Sequence, residues 1–238
     1  VEIYAPHGTP KEQLKDEFLM SSGATKGKAS APETNIKAGW VAILEILNRL
    51  ENMPYVSYVG RVIFQKICYV ATRAGLDTGL EFRRGSYGPY SSQVAGMERT
   101  LSNANLIQES MIGQMVRVHT GKEYPGFREK HRQRIDAVND KIDRVVDLFS
   151  RIKSTSQAEE VATVLFAIDE IRSDAVQEMT NEEDFYKYLV DWKKRWNNPS
   201  NRESLAGTIR FLAQTGWAKI DFSDDLPVAE TEKLDTMF

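Results

Sequence analysis

Between Lys37 and His119 the apolar pattern changes period, and this change constrains the fold more than any other feature of the chain. Val41, Leu44, Ile46, Leu47 and Leu50 recur at helical spacing and predict a helix over Lys37–Asn52, ended by Pro54. Val62, Ile63, Ile67, Val70 and Ala71 give the buried stripe of a second helix over Tyr58–Ala74, with Gly75 placed to close it. Leu80, Glu81 and Phe82 read as a short strand, and a third helix is expected from Pro89 or Tyr90 to Asn105. The period then drops to two. Leu106–Ser110 and Gln114–His119 alternate apolar and polar residues around Ile112 and Gly113, which signals a β-hairpin.

Three helices followed by a hairpin is the order of a winged helix. The rest of the chain carries helical periodicity over Arg132–Ile152, Ser156–Ile171, Asn181–Trp196 and Asn201–Gln214. Ser156 with Glu159 forms a capping-box pattern, and Asn181 stands at a helix N-cap position. Trp217–Phe222 alternates as a strand does. The expected architecture is mainly α. It has a winged-helix-like domain (three helices plus a β-hairpin) over 36–120 and an additional C-terminal helical subdomain over 121–222. Residues 1–5 read as a remnant strand of an upstream domain, 6–35 as a linker, and 223–238 as an acidic flexible tail. Six carboxylates stand between Asp221 and Asp235 against the single Lys233.

Composition narrows the function classes. Charged residues are 27% of the 238, net charge is −3, and no apolar run approaches a membrane span. With no charged-then-apolar leader, a cytoplasmic protein is expected. The lone Cys68 excludes a disulfide framework, and scattered His7, His119 and His131 argue against a metal centre. No phosphate-binding glycine loop, dinucleotide fingerprint or nucleophile elbow occurs, so neither a cofactor nor an enzymatic activity is expected. Glu182, Glu183 and Asp184 open a helix, where carboxylates complement the macrodipole.

Two patches stand out. Phe82–Tyr90 joins Arg83 and Arg84 to Tyr87-Gly88-Pro89-Tyr90, in which Pro89 can begin a helix. Tyrosine and arginine are enriched at binding hot spots, and here Tyr87 is expected inward and Tyr90 outward. The second patch, Trp192–Trp196, encloses Lys193, Lys194 and Arg195 between two indoles, with the cations complementing a helix C-terminus. It reads alternatively as a basic-aromatic surface for nucleic acid or an acidic partner. Residues 36–120 carry nine Lys/Arg against six Asp/Glu, a small surplus for a DNA binder.

Phe64–Val70, Leu80–Tyr90 and Asn105–Ile107 together resemble the C-terminal domain of DarG, the antitoxin of DarT/DarG toxin–antitoxin systems. The broader YwgA-type winged-helix proteins share the Gln65-Lys66 and Tyr87–Tyr90 pattern. The likeness covers Ile36–Phe222, with Ile67-Cys68-Tyr69 standing where the family has Leu-x-Tyr. Val1–Pro6 resembles the closing strand of the macrodomain that precedes this domain in the family. The resemblance implies the following. The toxin ADP-ribosylates thymidine in single-stranded DNA, and the macrodomain removes the modification. The C-terminal domain binds the toxin and occludes its DNA site by mimicry. This chain, without the macrodomain body, is then expected to be a non-catalytic monomer in a 1:1 complex with a cognate DarT-like toxin, binding DNA weakly or not at all; the full-length parent would be the glycohydrolase. Candidate contacts are Arg83, Arg84, Tyr87, Tyr90, Glu98, Lys193, Lys194 and Trp196. The rival reading is a sequence-specific DNA-binding regulator.

Overall fold

The computed structural model describes residues 36–54, 56, 58–113, 115–174 and 180–222. The expected upstream strand, linker and acidic tail lie outside them.

Helix α1 (Ala38–Glu51) is buried on every side from Val41 to Leu47, which makes it the central helix rather than a surface one. Its one buried charge, Glu45, is fully used. The carboxylate accepts from Tyr124 Oη at 2.5 Å, Arg128 Nε at 2.7 Å and Arg49 Nε at 2.8 Å. Burial alone would raise its pKa; the three donors outweigh it and hold the carboxyl at about 2.

Helix α2 (Arg61–Arg73) starts three residues later than its periodicity suggests, because 58–60 run extended beside the hairpin and Val59 O accepts from Val118 N at 2.8 Å. Its stripe is Ile63, Phe64, Ile67, Val70 and Ala71. Val62, expected inside, is 43% exposed. Cys68 is buried in this helix, and burial pushes its thiol well up.

Two hairpins follow. Strands β1 (Arg83–Gly85) and β2 (Gly88–Tyr90) pair antiparallel, Arg83 opposite Tyr90 and Arg84 opposite Pro89. The expected strand at Leu80–Phe82 therefore begins after Phe82, and Pro89 sits in a strand instead of opening a helix. Helix α3 (Gln93–Asn103) comes next. Strands β3 (Ile107–Ile112) and β4 (Met115–Thr120) form the wing that the alternation predicted, in register from Ile107–Thr120 to Ile112–Met115.

The predicted helix over Arg132–Ile152 is broken. Helices α5 (Arg132–Asp136) and α6 (Asn139–Ser150) flank Val138, whose φ of −124° leaves the helical region. Helix α4 (Tyr124–Lys130) carries no long stripe, burying only Tyr124 and Phe127, and periodicity did not signal it. Helix α7 (Thr155–Asp174) is capped two residues earlier than expected. Ser154 Oγ accepts from Gln157 N at 3.1 Å, and Gln157 Oε1 accepts from Lys153 N at 2.8 Å. Ser156 is exposed in the first turn, and Glu159 is used elsewhere. Helix α8 (Glu182–Trp192) is capped by Asn181 at 2.7 Å, as predicted, and then gives way to a 3-10 turn at Lys194–Trp196. Helix α9 (Pro199–Gln214) is capped by Asn198. The strand expected at Trp217–Phe222 shortens to β6 (Ile220–Asp221), which pairs in parallel with β5 (Thr180–Asn181). Glu182 does more than face a dipole: it is fully buried and accepts from Arg210 Nε at 2.7 Å.

The fold is mainly α with small hairpins. One continuous core, including Leu44, Phe64, Ile142, Leu165, Phe185 and Ile209, runs through both the winged-helix-like residues and the helical ones after 120. No described helix is long and apolar enough to cross a membrane.

Candidate partner-binding surface

The β1–β2 hairpin is held from behind by cations. Lys66, at the buried centre of α2, donates to Pro89 O at 2.9 Å. Lys193 is 4% exposed, lies between the Trp192 and Trp196 rings, and donates to Ser86 O and to Glu159 Oε1. Gln65 donates to Ser91 O at 2.8 Å. Burial lowers the pKa of both lysines, that of Lys66 to about 8, where Glu159 opposes the shift and Lys193 adds to it. Backbone carbonyls and one carboxylate receive the two ammonium groups.

Arg84 is exposed, yet it packs across its own fold. Its guanidinium lies over Trp192 at 4.1 Å and Tyr188 at 5.2 Å from the ring centroids, with Glu170 at 3.8 Å. Such a stack contributes about 0.5–2 kcal/mol. It ties the hairpin to α7 and α8 and occupies the planar face that a partner would otherwise use.

The eight candidate residues thus separate. Lys193 and Trp196 are buried and hold the fold together. Arg84 is committed internally. The expectation that Tyr87 plugs the core is overturned: it caps the hairpin turn, 64% exposed, with Arg195 over its ring at 5.1 Å. Tyr90 is exposed as expected, and Arg83 opposite it and Lys194 are exposed too. Tyr87, Arg195 and Trp196 share a pocket of about 420 Å³ whose wall is Glu159, itself paired with both Lys193 and Arg195. Lys193, Lys194 and Arg195 lie past the end of α8; Lys193 and Arg195 pair with Glu159, and Lys194 is exposed.

A larger groove of about 850 Å³ lies between the N-terminal end of α2 and the wing. Tyr58, Val62, Ile63, Ile112, Met115 and Val116 supply its apolar lining; Arg61, Arg117 and Lys153 are the charged residues in it. At the wing, Met111 is 64% and Met115 66% exposed. Arg61 makes a bidentate pair with Glu109 at 2.7 and 2.6 Å. Behind that pair, on α3, stands Glu98. Burial first, and then the Glu109 carboxylate, push its pKa up to about 7, with Arg61 partly offsetting them. The sequence signal for this groove was available, since Ile112 and Met115 flank the tip of a predicted hairpin, where apolar side chains have little to pack against.

Helix α3, the reading helix of a winged-helix DNA binder, turns Val94, Met97 and Leu101 inward. Its exposed positions include Gln93, Ala95, Gly96, Arg99, Ser102 and Asn103, with one cation among them. Among the described residues no cluster of three His, Cys, Asp or Glu is placed to hold a metal ion.

No family model and no curated protein matches this chain.

Proposed function

We propose that this chain is a protein-binding module that neutralises a DarT-like, DNA-modifying ADP-ribosyltransferase by covering its single-stranded-DNA site, acting stoichiometrically, as a monomer, in the cytoplasm. The family reading rests on the resemblance over Phe64–Ile107. The observation that carries the choice of a protein partner over DNA is the wing. A wing that follows a DNA backbone needs Lys or Arg at its tip, because phosphate contacts supply much of the affinity. This wing presents Met111 and Met115 to solvent. Methionine is adaptable and apolar, and suits a protein surface. The single cation on the exposed face of α3 supports the same choice.

The test is to mix the chain with a DarT-like toxin and titrate in a thymidine-containing oligonucleotide. The expected outcome is a stable complex with the toxin, loss of DNA modification at one equivalent of chain, and competition by single-stranded DNA. Tight, steeply salt-dependent binding of duplex DNA by the chain alone, with no toxin complex, would replace this reading with that of a transcriptional regulator.

A further inference from the structure

We propose that the groove between α2 and the wing receives an apolar segment of the partner protein that carries a carboxylate, and that this carboxylate pairs with Arg117. The proposal rests on the reading above that the partner is a protein. It adds which face docks and what chemistry the docked segment has.

The groove selects by charge. Three of the described residues lining it are basic and none is acidic. Two of the three have other engagements: Arg61 is held by Glu109, and Lys153 sits at the capped start of α7. Arg117 differs. Its guanidinium lies over the Tyr58 ring at 4.9 Å, and no carboxylate among the described residues pairs with it. Stacking uses the face of a guanidinium and leaves its in-plane N–H groups to bond. Those groups match a carboxylate bidentately.

The groove also selects by shape. Beside Arg117 its surface is Val62, Ile63, Ile112, Met115 and Val116. These are aliphatic side chains, which pack against other aliphatic side chains. A single-stranded nucleic acid would need successive ring faces for its bases. Tyr58, the only ring among the described residues lining the groove, is already covered by Arg117. Anionic charge with aliphatic bulk describes an acidic, apolar peptide segment and disfavours an oligonucleotide.

The experiment uses the full chain labelled at its methionine methyl groups. Met111 and Met115 report the wing, and buried Met97 reports whether the fold is intact. The probes are a short peptide alternating Asp and Leu, the same peptide with Asn for Asp, and a short oligothymidylate. The Asp peptide is expected to shift the Met111 and Met115 methyls and leave Met97 in place. The Asn peptide should bind about tenfold more weakly, as expected for loss of one charge-assisted bond. Arg117→Gln should weaken the Asp peptide by the same factor and erase the difference between the two peptides.

Four results with these probes would overturn the proposal. One is equal binding of the Asp and Asn peptides. A second is movement of the wing methyls by oligothymidylate and not by peptide. A third is no response to any probe. The fourth is concentration-dependent shifts in the free chain, which would assign the groove to a second copy. The toxin complex is measured separately. If wild type and Arg117→Gln bind the toxin equally, this inference fails and the functional reading stands. If wild type forms no toxin complex, the functional reading fails while the peptide arms still judge the groove.

Discussion

The two hairpins of this chain contain the same classes of side chain that make good interfaces, yet they face opposite fates. In β1–β2, Arg84 is stacked on two rings and the Ser86 and Pro89 carbonyls receive buried lysines, although Tyr87, Tyr90 and Arg83 face solvent. In β3–β4, no comparable anchor among the described residues reaches the tip, and two methionines face solvent. The difference teaches that arginine and aromatic content does not by itself mark a binding surface. What decides is whether the fold supplies an internal partner. The hairpin richer in hot-spot residues is the more structural one, and the plainer one borders the larger groove.

The sharpest way to break this comparison is to release the anchored hairpin. Lys193→Ala leaves the Ser86 carbonyl without its donor and Glu159 with Arg195 alone. The expected loss is about 3–5 kcal/mol by urea unfolding. A loss below about 0.5 kcal/mol would show that the hairpin is not held this way.

Next come two glycines, Gly88 at the start of β2 and Gly113 in the turn of the wing. Gly88 (φ +84°) and Gly113 (φ +62°) both adopt left-handed backbone. A Cβ on Gly88 would lie 2.5 Å from Thr163 Oγ1, which is fixed by its bond to Glu159 O; a Cβ on Gly113 meets nothing within 4 Å. Gly113→Ala should cost about 1–2 kcal/mol from backbone strain. Gly88→Ala should cost about 2–4 kcal/mol, because overpacking adds to that strain. Equal melting-point losses would undo the contrast.

Glu98 probes the wing side by pH. Its folded pKa, about 7, is above its ordinary value of 4.5, so its contribution to stability is fully present below pH 4.5 and is lost as pH rises through 7. Glu98→Gln should therefore stabilise the chain at pH 8 by about 1–2 kcal/mol, a figure reduced for its partial exposure, and should change little at pH 4. Denaturation at the two pH values checks the sign.

The smallest effects on stability belong to the exposed residues. Tyr87→Ala should cost about 0.5–1 kcal/mol, the value of an exposed cation–π contact. Met111→Gln with Met115→Gln should stay within about 0.5 kcal/mol of wild type in a thermal melt while weakening toxin binding about tenfold or more. Unchanged toxin binding would remove the wing from the interface.

Much of the fold was legible in the sequence. Helices α1, α2 and α3, the wing as a hairpin, and the Asn181 cap follow from period and from local capping chemistry. The misses are also local in origin. Helix α4 has too few apolar positions to show a stripe, the break at Val138 lies inside an unbroken apolar pattern, and Tyr87-Gly88-Pro89-Tyr90 suits both a helix start and a hairpin turn. For the candidate surface the sequence named arginines, tyrosines and lysines and could not say which of them point outward.

By itself, then, the sequence determined the elements, because a helix or a hairpin satisfies its backbone hydrogen bonds among near neighbours, and side-chain period records that directly. Only the tertiary structure decided which aromatic and basic residues are anchors and which are surface. Lys193 reaches Ser86 across 107 residues, and Arg84 is matched to rings on α8. Pairings of that range depend on how helices pack, and packing is a property of the whole core.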